Sequence, residues 1–439
     1  MSKAITAPKN ERSEVALRET AGEAIDRRAF LGRGVALAGA ALSGAAGNAV
    51  AAATPSPAVP GAAPWQTIPG APAGAYGQPS GFEKGVGRHI IRSYGDIAPG
   101  TGSVFTPLES LQGTITPSGL HFVRNHNGTP DIDPSKHRLM IHGMVKRPLM
   151  FSVAALARYP TITRTYFVEC AGNSGRALNP TPLQVPVGVM HGLVGNSEWT
   201  GIPLAILLEE AGVDTSATWV LAEGADAASM SRSIPMEKML DDAMLALYQN
   251  GERLRPDQGY PMRLLVPGYE GNMNVKWLRR LKVVNEPMQT KDETSKYSDL
   301  LPSGKALQFT FELGVKSIIT SPAYGRKLDG HGFHEISGIA WSGAGRIRKV
   351  EVTTDAGATW REAALHGEQL PKSVVRFRMP WDWHGAPAIL QSRATDEKGN
   401  VQLTRQAWIA QYHADMRYHN TSINSVEVAA DGSIKNVYA

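Results

Sequence analysis

Turn-forming residues interrupt this chain so often that a bundle of long helices is excluded. Its 45 glycines and 29 prolines each remove a side chain or a backbone donor from regular structure. Between residues 95 and 301, short apolar runs alternate with Gly, Pro, Asn and Asp, which predicts a mixed sheet with few helices. The clearest helix is LAILLEEA at 204–211, entered after Gly201-Ile202-Pro203 and closed by Gly212. Strands are expected at 138–144, 219–222 and 261–266. Beyond 301 the patterning changes: 346–355 alternates at period two and runs into the turn signal Asp355-Ala356-Gly357, and similar stretches lie at 373–378, 389–396 and 404–409. Several short strands with regular turn signals predict a β-sandwich of roughly 110 residues. The expected fold class is therefore α+β, with a mixed-sheet domain over 95–301 and a sandwich with its tail over 302–439, since 439 residues exceed what one core supports.

Cys170 is the only cysteine. An internal disulfide, a cysteine-cluster metal site and a CxxCH haem attachment are thereby excluded, so any redox partner is another chain. The formal charge of +5 is mild, and after the first residues no dense Lys/Arg run interleaves with aromatics, which argues against nucleic acid as a partner. Around the cysteine, TRTYFVECAGNSGR (163–176) reads as a strand entering a sharp turn. Tyr166, Phe167 and Val168 favour a strand, whereas Ala171, Gly172, Asn173, Ser174 and Gly175 cannot pack a core. A thiol where a strand stops suits a ligand or nucleophile approached by something large. It equally suits a small buried hydrophobe.

The first residues read as an address. Asp26-Arg27-Arg28-Ala29-Phe30-Leu31 precedes an uncharged Ala/Gly/Leu run that ends in the small-residue pattern AVAAA before Thr54. This is a twin-arginine export signal over 1–53. The run is too weakly apolar for a stable membrane anchor, so cleavage and a periplasmic location are expected, without stable membrane insertion afterwards. Residues 54–94 are a Pro/Gly/Ala-rich lead-in.

Four separated stretches, in this order and spacing, resemble the sulfite oxidase family of molybdenum enzymes. They are FVRNH (122–126), ECAGN (169–173), GYPMRLLVPGYEGNMNVKWL (259–278) and AWSGAGR (340–346). The resemblance implies a molybdopterin-binding domain followed by an immunoglobulin-like dimerisation domain. The export signal, EWTGIPL (198–204) and the ending YHADMRYHNTSINS (412–425) resemble one branch in particular, the molybdenum subunits of sulfane dehydrogenases.

Carried over from the family, Cys170 is the one protein bond to molybdenum. Phe122, Arg124, His126, Asp226, Arg263 and Lys276 hold the molybdopterin, helped by backbone N–H groups of the turn at 267–271. Gly172 and Gly175 permit close approach of the cofactor. Arg124 and Arg346 face the substrate anion, Trp199 lines the pocket and Tyr297 donates a phenolic hydrogen bond beside the metal. Two positions depart from the family pattern. Gln258 stands where a histidine is common, and Gly175 stands five residues past the cysteine, where sulfite oxidases commonly carry an arginine.

Loss of that arginine removes charge and opens space, so the implied substrate is a sulfane sulfur on a carrier protein. The implied acceptor is a c-type cytochrome subunit, with a homodimer of this chain inside a larger complex. A sulfite dehydrogenase with a cytochrome acceptor is the nearest alternative. A molybdopterin reductase of the methionine-sulfoxide type and an exported binding protein with a degenerate site are more distant ones. His331 and His334, spaced as metal ligands in DGHGFHE, and His413 and His419 read as ordinary surface or packed histidines, while the tail is a candidate partner-docking strip.

Overall fold

The computed structural model describes residues 63–67, 69–91, 100–413, 416 and 418–439. The twin-arginine motif and its apolar run lie outside these. Met1–Gln78 and Pro79–Ala439 are separate compact units. The described part of the first carries one helical turn, Pro64–Thr67, and exposes Trp65 and Tyr76. No helix among the described residues is long and apolar enough to cross a membrane.

Two five-stranded sheets make the first layer of the second unit. In one, the strand Val194–Pro203 lies between Ile162–Glu169 and Met244–Gln249, and Met244–Gln249 pairs in turn with Arg263–Leu265 and Glu252–Arg253. The other runs Leu149–Ser152, Arg138–Gly143, Leu278–Val284, Trp219–Gly224, Ser231–Pro235. It is mixed, because Arg138–Gly143 and Leu278–Val284 are parallel and the remaining pairs antiparallel. The expected helix forms at Leu204–Ala211, where Pro203 enters it and Gly212 closes it at φ +68°. Its Leu204, Leu207, Leu208 and Ala211 are fully buried against Leu139, Ile141, Val220, Leu245 and Leu281 from both sheets. At about 1.5–3 kcal/mol per large apolar side chain removed from water, this cluster holds the two sheets together.

The C-terminal region is a sandwich. Eight strands follow one continuous path from Lys316–Ser321 to Ile434–Val437, folding over so that Lys316–Ser321 and Gly332–Trp341 lie against Ala388–Asp396. Ile336, Phe377, Val350 and Leu390 fill the space between the layers. One expected strand is a helix instead. Arg405–Tyr412 is α-helical, begun by Thr404, whose hydroxyl accepts the Ala407 N–H at 3.2 Å. The alternation across 404–409 mimics a strand, but the N-cap and the helix-forming Arg, Gln and Ala residues prevail.

A third apolar cluster joins the regions: Phe167, Val187 and Val194 pack with Leu313, Ile318, Ile339 and Trp341. The backbones also meet directly. Gly268 has φ +80°, and a Cβ added there would lie 2.3 Å from the Gly343 carbonyl oxygen. The motifs at 259–278 and 340–346 thus touch through two glycines.

Candidate active site

The strand Ile162–Glu169 ends one residue before Cys170. Its last three residues are buried, and the Cys170 N–H donates to the Leu193 carbonyl at 2.9 Å. The thiol is held by the sheet at the meeting point of two cavities. The inner one, of about 700 Å³, is lined by Phe122, Arg124, His126, Asp226, Arg263 and Lys276 among others. The outer one, of about 1580 Å³, shares Arg124, His126, Cys170 and Tyr297 with it and adds Arg176, Lys291 and Lys296. None of the described residues lining the outer cavity is a carboxylate.

The inner cavity gathers cations that the fold has desolvated. Arg263 donates to the carbonyls of Gln258 (3.2 Å) and Asn274 (2.9 Å), and burial pulls its guanidinium down to about 9. Lys276 donates to the Asp257 carbonyl at 3.0 Å and to Asn125 Oδ1, while burial and the nearby Arg263 lower its ammonium to about 7. Burial, then Arg124 and Lys296, lower His126 to about 3, so its imidazole is neutral at physiological pH. Burial raises the Asp226 carboxyl, and its Oδ1 has no hydrogen-bond partner. Arg263 Nε and His121 Nε2 are likewise buried without partners. Orphaned buried polar atoms are rare in native proteins and indicate a ligand or water that satisfies them. Their convergence on one cavity is what a polar, phosphate-bearing group requires.

His121 escaped the sequence reading. It lies 1 % exposed in the inner cavity wall, its pKa lowered to about 4 chiefly by burial, with Nδ1 at 3.1 Å from the Phe122 carbonyl oxygen. Its position just before FVRNH was the one available signal. Gln258 Nε2 donates to that same carbonyl at 2.9 Å. The departure from histidine at 258 therefore serves the loop carrying Arg124.

Tyr297 stands between the cavities at φ +53°. Its hydroxyl is 3.1 Å from His126 Nε2, and burial raises its pKa well above the ordinary phenol range. It is a protonated donor at neutral pH. Cys170 is raised too, chiefly by burial, so without a nearby cation its thiol keeps its proton.

The structure brings together eight of the ten expected residues. Trp199 is fully buried behind the site: its Nε1 donates to the Tyr166 carbonyl at 3.1 Å and its ring lies under the Arg263 guanidinium, 5.2 Å away. It supports a pocket residue rather than lining the pocket. Arg346 also lies outside both linings. Its side chain, 51 % exposed, pairs with Glu397 at 2.9 Å, and AWSGAGR also contributes the Gly268–Gly343 contact. In the 267–271 turn, the Glu270 N–H is taken by the Phe311 carbonyl (2.8 Å) and that of Tyr269 by Val266 (3.2 Å), so these two do not face an anion. Gly172 and Gly175 line the outer cavity, and a Cβ at Gly172 would lie 4.0 Å from Cys170 Sγ. His331 and His334 pack on Trp383.

A cysteine between a cationic, partly unsatisfied inner cavity and an open cationic outer one fits a molybdopterin-dependent oxidoreductase site, and the comparisons with known proteins assign that class. Residues 126–291 match the family description "Oxidoreductase molybdopterin binding domain", and 308–426 match "Mo-co oxidoreductase dimerisation domain". The chain belongs to the sulfite oxidase family, whose cofactor is Mo-molybdopterin. It is similar to the crystal structure of the sulfane dehydrogenase SoxCD from Paracoccus pantotrophus, with 44% identity and a TM-score of 0.84, over 88% of this chain and 100% of that one. It is 32% identical to mitochondrial sulfite oxidase from Mus musculus and 32% identical to nitrate reductase [NADH] 1 from Arabidopsis thaliana, matching 67% and 69% of this chain. The match spans 59% and 37% of those two proteins.

Proposed function

We propose that this chain is a periplasmic molybdenum oxidoreductase that oxidises sulfane sulfur bound to a carrier protein and passes the electrons to a c-type cytochrome subunit. The observation that carries this reading is the outer cavity: broad, cationic, and bordered by Gly175 where sulfite oxidases commonly have an arginine. A site for a small free dianion gains from close bidentate arginines on several sides, whereas an anion on a protein arm needs room as well as charge. The likeness to SoxCD over the whole of that matched chain supports it.

Cys170 would hold the molybdenum, and Arg263, Lys276, Asp226, His126 and Phe122 would hold the pterin. When bound, this group supplies two-electron oxidation of sulfur with oxygen from water. Around it, Arg124, Arg176, Lys291 and Lys296 draw the anionic end of the substrate toward the thiol. Tyr297 keeps its proton and aims it between the cavities, oriented by His126. The electrons leave to another chain, which fits a cytochrome partner. The matched dimerisation domain supports a homodimer through the sandwich. The Asp26–Leu31 motif and the apolar run after it support export by the twin-arginine route, after cofactor insertion, to the periplasm.

A second reading, sulfite dehydrogenase with a cytochrome acceptor, is favoured by the four cations at the outer cavity and the likeness to sulfite oxidase. Steady-state kinetics with both substrates decide between them. Carrier-bound sulfane is expected to have the higher kcat/KM; preference for sulfite overturns the proposal.

A further inference from the structure

Tyr418 is not among the family-derived site residues, yet it lines the outer cavity. Its ring centroid lies 5.4 Å from that of Tyr297, with the planes at 42°. A clasp in the C-terminal tail holds it there. The next residue, His419, has a side chain only 7 % exposed, with Nε2 3.0 Å from Glu270 Oε2 and Nδ1 3.5 Å from Asp299 Oδ2. Its N–H donates to the Ala171 carbonyl at 2.8 Å, beside Cys170. Asn420 Nδ2 then donates to the Ser174 carbonyl at 2.9 Å. The tail is thus bonded to both sides of the Gly172 bend, and Tyr418 is presented to the cavity from a rigid support.

From this geometry we propose that Tyr418 is a specificity-determining residue. Together with Tyr297 it forms a two-ring wall that grips the uncharged part of the arm bearing the sulfur. The cations Arg124, Arg176, Lys291 and Lys296 recognise charge, which a free oxyanion and an arm-borne sulfur share. An aromatic wall adds contact area that only a substrate with a peptide or alkyl portion exploits. The inference rests on the carrier-bound reading above and deepens it.

The test uses the full cofactor-loaded chain as Tyr418→Ala and Tyr418→Phe. The probes are a short unstructured peptide ending in a cysteine persulfide and, separately, inorganic sulfite, each with an excess of an oxidised c-type cytochrome as electron acceptor. Tyr418→Ala is expected to raise KM for the peptide about tenfold with a smaller change in kcat, lowering the peptide-to-sulfite ratio of kcat/KM, and Tyr418→Phe to restore it. Binding of the same peptide, capped as a thioether, to the cofactor-loaded chain is expected to weaken in parallel by fluorescence anisotropy. Molybdenum and pterin content are expected to stay at the parental level. An unchanged ratio and unchanged peptide binding in Tyr418→Ala overturn the proposal. A parental chain that turns over sulfite but not the persulfide peptide defeats the carrier-bound reading itself, and this inference falls with it.

Discussion

Lys316 Nζ, on the first strand of the sandwich, lies 2.9 Å from Glu169 Oε1, the carboxylate of the residue immediately before Cys170. Both side chains are buried. The same ammonium donates to Ser174 Oγ at 2.6 Å, Ser174 shares a 2.7 Å bond with His191, and Trp341 Nε1 donates to Glu169 Oε2 at 2.7 Å. The turn that positions the thiol is therefore bonded to the dimerisation domain, which explains physically why the two regions form one compact unit.

Removing the cation from that pair leaves a buried carboxylate with only Asn173 and Trp341 as donors. Lys316→Met is expected to destabilise the chain by about 3 kcal/mol, near the low end for breaking a buried pair because those two donors remain. Urea denaturation measures the loss. Glu169→Gln keeps one acceptor oxygen but turns an amide N–H toward a former donor and leaves the Lys316 ammonium without its counter-charge, so it is also expected to destabilise the chain.

Exchanging the thiol for a hydroxyl removes the soft ligand while keeping the volume nearly constant. Cys170→Ser is expected to fold with parental stability but to lose turnover and most of its molybdenum, read by elemental analysis beside pterin fluorescence. Parental turnover from a metal-loaded Cys170→Ser chain would remove the basis of the site assignment.

For His419, burial lowers the pKa, but the Asp299 carboxylate 3.5 Å from Nδ1 and the hydrogen-bonded Glu270 outweigh this and raise it to about 9. The folded value exceeds the ordinary 6.5, so the stabilisation is complete below pH 6.5 and disappears as pH rises through 9. The stability gap between the parent and His419→Gln is expected to shrink across that window by on the order of 3 kcal/mol. Lys276, depressed to about 7, has the opposite slope, since it makes stability rise with pH above that point. It contributes equally to both proteins and cancels in the difference.

Arg346 and Arg176 separate the family expectation from the geometry. Arg346→Ala removes an exposed ion pair and is expected to change kcat/KM less than twofold. Arg176→Ala removes a cation from the outer cavity and is expected to lower kcat/KM for an anionic substrate about tenfold, with a weaker dependence on ionic strength. The reverse order would place the substrate elsewhere.

Much of the site was readable because its parts are local. The strand-to-turn change at Cys170, the FVRNH loop and the paired Arg263 and Lys276 are short stretches whose chemistry does not depend on distant partners. Residues set by other elements were misread. Trp199 sits on a strand paired on both sides, and its indole is committed to Tyr166 and Arg263. Arg346 is neutralised by Glu397, 51 positions away. His419 carries no sequence signal of burial, because nothing near it in the chain announces the Glu270 and Asp299 carboxylates it meets.

Sequence alone determined most of the element types, the order of sheet region and sandwich, and the single thiol at a strand end, although 404–409 is a helix where its alternation predicts a strand. All of these follow from periodicity, turn chemistry and residue identity over a few neighbours. Tertiary structure decided which charges face the cavities, which are paired away from them, and how the tail brings Tyr418 beside Tyr297. The reason is that desolvation and ion pairing depend on distances between segments far apart in the chain, from 51 positions for Arg346 and Glu397 to 149 for His419 and Glu270, which no local pattern encodes.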